Sequence, residues 1–261
     1  MTIAILMSGR TEFFDRVLDI NKSNLIQPLI DHGYTVNFFG SFWEDVETSK
    51  CIASYQDYWK VVDVETFTPY VGGVINNFNE HQELIVKYQH TPDHQVTNTL
   101  HWLYKLRRAY NLVRQYERVH NMKHDYYIRI RPDASLSKPI DVNQLSQLND
   151  DNIITHVDRI VHTHGKIFGC GEGWIDDNFC IAKQKPFETY CSVYDDLISL
   201  CVYCKTSISH LLLKRQFELK NIKTIQPNSP IIIVRKISDE ILLYHYFTYQ
   251  YPDFDPTLYG Y

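Results

Sequence analysis

The segment Asp125-Tyr126-Tyr127-Ile128-Arg129-Ile130-Arg131-Pro132-Asp133 concentrates charge at the end of an apolar run. Side chains alternate along a strand, so Arg129 and Arg131 are expected on one face, about 7 Å apart. Two guanidinium groups side by side repel, and an anion between them relieves that repulsion. The planar fork of arginine matches phosphate oxygens. Pro132 supplies no ladder hydrogen bond and ends the strand. Asp133 then projects from its tip, where a carboxylate beside phosphate-binding cations suits a divalent metal bridging to a diphosphate. The same residues admit a structural reading, in which the arginines pair with Asp125 and Asp133.

A carboxylate pair, Asp176-Asp177, follows the glycine-rich run Gly169-Cys170-Gly171-Glu172-Gly173-Trp174. It is the best-placed candidate for a general base acting on a hydroxyl. Adjacent residues on a strand face opposite sides, so one of the two is expected to serve. Helix capping or local salt bridging is the competing use. Trp174, beside the glycines, is the aromatic best placed to stack on a sugar, whereas Trp102 on a long helix reads as core. His162 and His164 would share a strand face, but no third ligand at helical spacing completes a metal site. His164 is therefore read as an acceptor contact or a surface histidine. Cys201 and Cys204 form a lone CxxC without a second pair, and the six cysteines read as small buried hydrophobes in a reducing compartment.

Several chemistries lose support. The chain lacks a GxxxxGK[ST] loop, a GxGxxG after its first strand, a GxSxG and an HExxH.

The elements that must position these residues alternate strand and helix. Thr2–Met7 reads as a buried strand broken at Ser8-Gly9-Arg10. Phe13–Ile30 reads as a helix with Ser23 as a cap candidate, stopped by Gly33. Tyr34–Phe39 reads as a second strand ended by Gly40-Ser41, parallel to the first. Trp59–Val64 is a third strand candidate, Thr66–Gly73 a loop and Val74–Lys87 a weak helix. Thr91 and Pro92 open a long helix whose stripe runs Val96, Leu100, Leu103, Leu106, Tyr110, Val113 and Tyr116. Lys105, Arg107, Arg108, Arg114 and Arg118 fall mostly off that stripe and read as a solvated face. Strands are expected over 126–130, 152–161, 222–225 and 230–235, a loop over 169–174, and helices over 186–200 and 207–219. The aromatic, Pro-broken tail from Tyr244 to Tyr261 is expected to pack over the surface. The alternation predicts an α/β fold in which helices sandwich a mostly parallel sheet. No linker or repeat interrupts residues 1–261, which predicts one domain.

With Lys+Arg 26 against Asp+Glu 31, the formal net charge of -5 argues against a nucleic-acid coat. No stretch approaches the ~20 apolar residues of a membrane span. The start MTIAILMSGR has no basic leader. A cytoplasmic protein is expected from these features.

The stretch from the long helix through YYIRIRPDASL resembles glycosyltransferases of the GT-A fold. It is most similar to the group in which an R-x-R-P-D strand end stands in place of D-x-D, found in bacterial surface-polysaccharide clusters and in large DNA viruses of algae and amoebae. Ser8-Gly9-Arg10 resembles that group's opening turn, residues 23–29 its first helix, and Asp176-Asp177-Asn178-Phe179 its D-D-x-F element. Residues 209–219, 221–222 and 231–235 resemble its closing helix and strands. One departure stands out: Ser209-His210 occupies the place where such proteins often carry Pro-Glu. The resemblance implies transfer of a sugar from a UDP- or GDP-linked donor to a hydroxyl of a glycan or glycoprotein. If the source is viral, the setting would be host cytoplasm. It further implies a donor site of Ser8, Gly9, Arg10, Arg129 and Arg131, with Mn²⁺ or Mg²⁺ on Asp133. A silent nucleotide-sugar or glycan-binding module is the alternative, and a nucleotidyltransferase ranks last.

The cysteine reading has a direct check. Cys204→Ser is expected to leave activity and metal content unchanged; stoichiometric zinc lost from the variant would overturn it.

Overall fold

The computed structural model of the chain describes residues 1–66, 94–163, 166–204, 208–229, 231–237 and 240–247. The expected loop over 66–73, the helix over 74–87, the cap at Thr91-Pro92, His164 and the tail beyond Phe247 lie largely or wholly outside those residues.

The chain opens as a βαβ unit. β1 (Thr2–Gly9) and β2 (Thr35–Trp43) pair in parallel, with Thr2 beside Thr35 and Ser8 beside Ser41. The intervening helix is interrupted. α1 (Phe14–Asn21) passes through a π turn at Lys22–Ile26 before α2 (Gln27–Asp31). Pro28 explains part of this. It has no N–H to offer Asn24, four residues earlier, and the Asn24 carbonyl instead accepts Ile140 N–H at 2.7 Å. Ser23 does not cap; its hydroxyl donates back to the Ile20 carbonyl at 3.1 Å, the mid-helix use of serine. Gly33 ends the segment at φ 81°, a conformation that favours glycine.

β2 does not stop at Gly40-Ser41 but runs on to Trp43. Gly40 serves packing there: a Cβ would lie 2.6 Å from the Phe42 ring and 3.2 Å from Trp59. α3 (Thr48–Ser54) leads to β3 (Trp59–Glu65), parallel to β2. The long helix α4 (His94–Val119) then returns the chain to β4 (Tyr126–Ile130), parallel to β1 on its other side.

From there the pairing turns antiparallel. β5 (Ala134–Leu136) is short; β6 (Asn152–Thr163) and β7 (Lys166–Ala182) form a long hairpin, with β7 lying against β4. Residues 169–174, expected as a loop, belong to β7. The expected helix over 186–200 divides into α5 (Gln184–Cys191) and α6 (Leu197–Cys204), and α7 spans Ser209–Lys220. β8 (Lys223–Ile225), β9 (Ile231–Ile237) and β10 (Glu240–Phe247) complete the sheet, so the tail's first residues are strand rather than surface wrapping. Its order among the described residues is β3-β2-β1-β4-β7-β6-β10-β9-β5, with β8 on β6. The α/β sandwich is present; its parallel part is β3-β2-β1-β4, extended by the antiparallel strands.

Alternation along the strands builds a core on each face. Ala4, Leu6, Tyr127 and Cys180 meet Leu103, Leu106 and Tyr110 of α4 and Phe187 of α5. Ile3, Ile5, Ile128 and Phe179 meet Phe14, Leu25 and Leu29 on the other side. Among the described residues no helix is long and apolar enough to cross a membrane.

One polar network is sealed inside the first core. Glu117 of α4 accepts from the backbone and Nδ1 of His124 at 3.0 and 2.9 Å, from the Tyr127 hydroxyl at 2.5 Å, and from Arg114. Asn37 of β2 meets His124 Nε2 at 3.0 Å. Burial alone would raise the Glu117 pKa, but the His124 and Tyr127 donors and the Arg114 charge outweigh it and bring it to about 2. A carboxyl depressed on folding stabilises the fold above its ordinary pKa and loses that contribution as pH falls through its folded value. Stability is therefore expected to drop between about pH 4.5 and 2, and Glu117→Gln to cost about 3 kcal/mol at neutral pH and flatten that drop. Denaturant melts across this range check it; an unchanged acid limb in the variant would refute the assignment.

Candidate functional site

Open α/β sheets bind ligands beyond the carboxyl ends of their parallel strands. Here those ends carry Ser8-Gly9-Arg10, Ser41-Phe42-Trp43, Glu65 and Arg131-Pro132-Asp133. Gly9 turns at φ 112°, which favours glycine. The loop behind it is tied down by Asp45. That carboxylate accepts from Thr11 N–H at 2.8 Å and the Thr11 hydroxyl at 2.5 Å, and also from Thr48 and the Glu47 backbone. These bonds outweigh burial and lower its pKa.

Arg129 is wholly buried. Its guanidinium donates to the Ile130 carbonyl at 2.6 Å and the Ser8 carbonyl at 3.2 Å, clamping the ends of β4 and β1 together. Burial, and the charge of Arg131 nearby, push its pKa down, while Asp177 opposes the shift. With no exposed surface, Arg129 as folded offers charge but no contact to anything outside the protein. This differs from the expectation of a paired fork. Nε of Arg129 and the hydroxyls of Ser8 and Ser41, all buried at these strand ends, have no hydrogen-bond partner among the described residues. Buried polar atoms are usually paired, so these three are exceptions, as are others elsewhere in the core such as both His156 ring nitrogens.

Arg131 lies just past the ladder, its backbone N–H donating to the Asn178 carbonyl at 3.2 Å. Its Nε and Nη2 hold both oxygens of Asp133 at 2.7 and 2.6 Å. The pair is lopsided in exposure: the Arg131 side chain keeps 20% of its surface and Asp133 only 8%. The structural pairing allowed by the sequence is thus the one formed. A divalent cation on Asp133 would have to take the carboxylate from Arg131. That would leave two neighbouring guanidinium groups without it in a poorly solvated place. Among the described residues no group of three or more His, Cys, Asp or Glu side chains could hold a metal ion. The described residues at this edge do not fit a resident cation.

β7 brings up the carboxylate pair. Its pairing with β6 shifts register between Thr155 and Arg159, so Asp176 and Asp177 lie in a stretch that departs from simple alternation. Asp176 is buried and turned onto Asn178, accepting its backbone N–H at 3.1 Å and its amide at 2.5 Å. Asp177 reaches the start of α7, where Ser209 Oγ donates to Oδ2 at 2.6 Å. His210 Nε2 stands 3.8 Å from the same oxygen. Its Nδ1 must carry a proton, because it meets the Ile175 carbonyl, an acceptor, at 2.8 Å. Of Ser209-His210, noted in the sequence as a departure, Ser209 bonds Asp177 and His210 stands beside it. Only the spacing to α7 could have revealed that, and strand-by-strand reading does not supply it.

A second group lies at the ends of β2 and β3. Trp43 stacks on Tyr104 at 5.9 Å, with the Lys105 ammonium 4.1 Å above the Trp43 ring. Lys105, expected on a solvated face, is fully buried and bonds Glu65 at 2.9 Å. Burial lowers its pKa and Glu65 opposes that shift. His101 meets Trp43 edge-on at 5.3 Å; burial, then the charge of Arg10, brings its pKa to about 4. Trp43 was passed over in the sequence because nothing in its spacing distinguishes it; its place at a parallel strand's end does. Trp59 packs into core rings. The Trp174 and His162 side chains lie outside the described residues, as does His164. Cys201 is buried, which pushes its thiol up to about 12, and Cys204 is half-buried.

No family model matches the chain, and no curated protein matches it. Similar solved structures include the crystal structure of core-mannan synthase A from Aspergillus fumigatus in its Mn/GDP form, at 11% identity and TM-score 0.47, with 88% of this chain and 74% of that chain covered.

The clamp at Arg129 makes a stability prediction. Arg129→Met removes the side-chain donors to the Ser8 and Ile130 carbonyls and is expected to cost about 3 kcal/mol, whereas Arg118→Met on the exposed side of α4 should cost little. Thermal melts of both variants compare them; equal melting temperatures would remove the clamp.

Proposed function

We propose that the chain is a glycosyltransferase that moves a sugar from a nucleoside-diphosphate donor to a hydroxyl of a glycan or glycoprotein. The observation that carries this reading is the backbone bond from Arg131 N–H to the Asn178 carbonyl. It ties Arg131 to the stretch of β7 that carries Asp177, at the carboxyl edge of the parallel strands. Glycosyl transfer to a hydroxyl makes two demands at one place. The departing diphosphate gains negative charge, and the attacking hydroxyl must lose a proton. Arg131 answers the first, supported by the buried charge of Arg129. Asp177, 16% exposed in its side chain, answers the second.

In this mechanism the acceptor oxygen attacks the anomeric carbon as its proton passes to a carboxylate oxygen of Asp177. The bond from that carbon to the diphosphate breaks, and its electron pair leaves with the diphosphate against Arg131. Ser209 and His210 orient the Asp177 carboxylate. Asp176 is turned onto Asn178 and shapes the strand. The Ser8-Gly9-Arg10 turn and Trp43 lie where the nucleoside would extend, with the UDP- or GDP-linked form of the donor as the expected class. The competing reading is a module that binds such a donor or a glycan without turning it over.

Asp177→Asn is expected to slow release of nucleoside diphosphate by about 10²–10⁴-fold while donor binding persists. A coupled assay for UDP and GDP release, run over a panel of oligosaccharide acceptors, measures it. Turnover at the original rate in the variant would remove Asp177 as the base. Binding without turnover in the original protein, over every acceptor, would favour the silent module.

A further inference from the structure

We infer that Asp133 is a positioning residue for Arg131, and that this site takes up a diphosphate through arginine without a divalent cation. The inference deepens the proposed function and rests on its placing of the diphosphate at Arg131. A guanidinium has two edges that can grip an oxyanion in bidentate fashion. Asp133 occupies the Nε–Nη2 edge with both of its oxygens. That grip fixes the plane of the group and turns the Nη1–Nη2 edge away from Asp133. Arginine held in this way loses little further freedom on meeting phosphate, which is what makes its fork effective.

Burial decides against the opposite assignment. Asp133 is only 5% exposed as a residue, so its carboxylate has little access to water if the pair opens. Transferring it to a cation would break both bonds from Asp133 to Arg131 beside Arg129, whose charge is already pressed by burial and by Arg131. Breaking one partner out of a buried pair is strongly unfavourable. The alternative in which phosphate displaces Asp133 from Arg131 meets the same objection, since it strands a buried carboxylate. The arrangement that keeps every charge satisfied is a chain: Asp133 holds Arg131, and Arg131 holds the ligand.

The test uses the full chain with three probes, inorganic pyrophosphate, UDP and GDP, titrated calorimetrically in EDTA and again in Mn²⁺. Affinities in the two buffers are expected to agree within about twofold. Asp133→Asn should weaken pyrophosphate about tenfold, a change worth ~1.4 kcal/mol, equally in both buffers. Arg131→Lys keeps the charge but loses the fork, and should weaken it by at least as much. Nitrogen-15 spectra give a readout that mere loss of stability would not move. A protected Arg131 Nε–H resonance is expected in the original protein, retained when pyrophosphate binds and lost in Asp133→Asn.

Binding that requires Mn²⁺, together with a tightly bound Mn²⁺ seen by electron paramagnetic resonance and lost in Asp133→Asn, would overturn the inference. The paramagnetic measurement on the original protein alone decides the point if the variant does not fold. Metal-free binding of pyrophosphate with no gain from a nucleoside would leave this inference standing and remove the nucleotide-sugar reading. Binding of none of the three probes would remove both.

Discussion

A fully buried arginine is the constraint around which this carboxyl edge is organised. Arg129 is sealed from solvent, so only protein groups can meet its donors, and Nε has no partner among the described residues. The Ser8 and Ile130 carbonyls meet two of them. That requirement brings the end of β1 to the end of β4, and so sets where the Ser8-Gly9-Arg10 turn begins. It also calls for negative charge nearby, and Asp177 supplies it. Asp177 in turn accepts from Ser209 at the start of α7. A single buried charge thus links two parallel strands, the β7 register shift and a helix start.

The chemistry follows from the exposure gradient along that arrangement. Arg129 is sealed, Arg131 keeps a fifth of its side-chain surface, and Asp177 somewhat less. The sealed charge costs nothing to reorganise when a substrate arrives and adds a fixed positive potential at the edge. The two partly open groups are those able to touch a ligand. Opposite charges held apart by backbone and by their own partners stay available for different jobs. A direct Arg131–Asp177 pair would have cancelled both.

The sequence made the first βαβ unit, β3, β4 and the long helix legible, because buried parallel strands and a 3.6-residue stripe are strong periodic signals. Arg129, Arg131, Asp133 and Asp177 were also legible as types and spacings. Of their partners, Asp133 for Arg131 was among the readings, whereas the Ser8 and Ile130 carbonyls for Arg129 and Ser209 for Asp177 were not. Whether Asp133 meets a cation or Arg131 depends on burial at a strand tip, which a local pattern does not contain. Gly40 looked like a strand end and is instead a clearance for Phe42 and Trp59. Residues 169–174 looked like a loop because of their glycines, yet β7 runs through them, with Gly169 and Cys170 paired to β6. Lys105 looked solvated because charges off an apolar stripe usually are; Glu65 and Trp43, distant in sequence, bury it. In each case a contact far along the chain overrides a local preference.

Strand β4 shows how much a five-residue alternation can specify. Tyr127, Arg129 and Arg131 occupy successive positions on the side facing α4. The first donates to Glu117 in the sealed network at the amino end of the parallel strands. The second is sealed at the carboxyl end against Ser8. The third falls beyond the last ladder pair, because Pro132 has no N–H to continue it. With the two inner positions fixed by buried polar bonds, a one-residue slip of β4 would put Tyr126, Ile128 and Ile130 against Glu117 and Ser8 and send both arginines into the opposite core. The register is therefore enforced from both ends of the sheet, and that enforcement carries Arg131 to the edge in a defined orientation before any ligand is present.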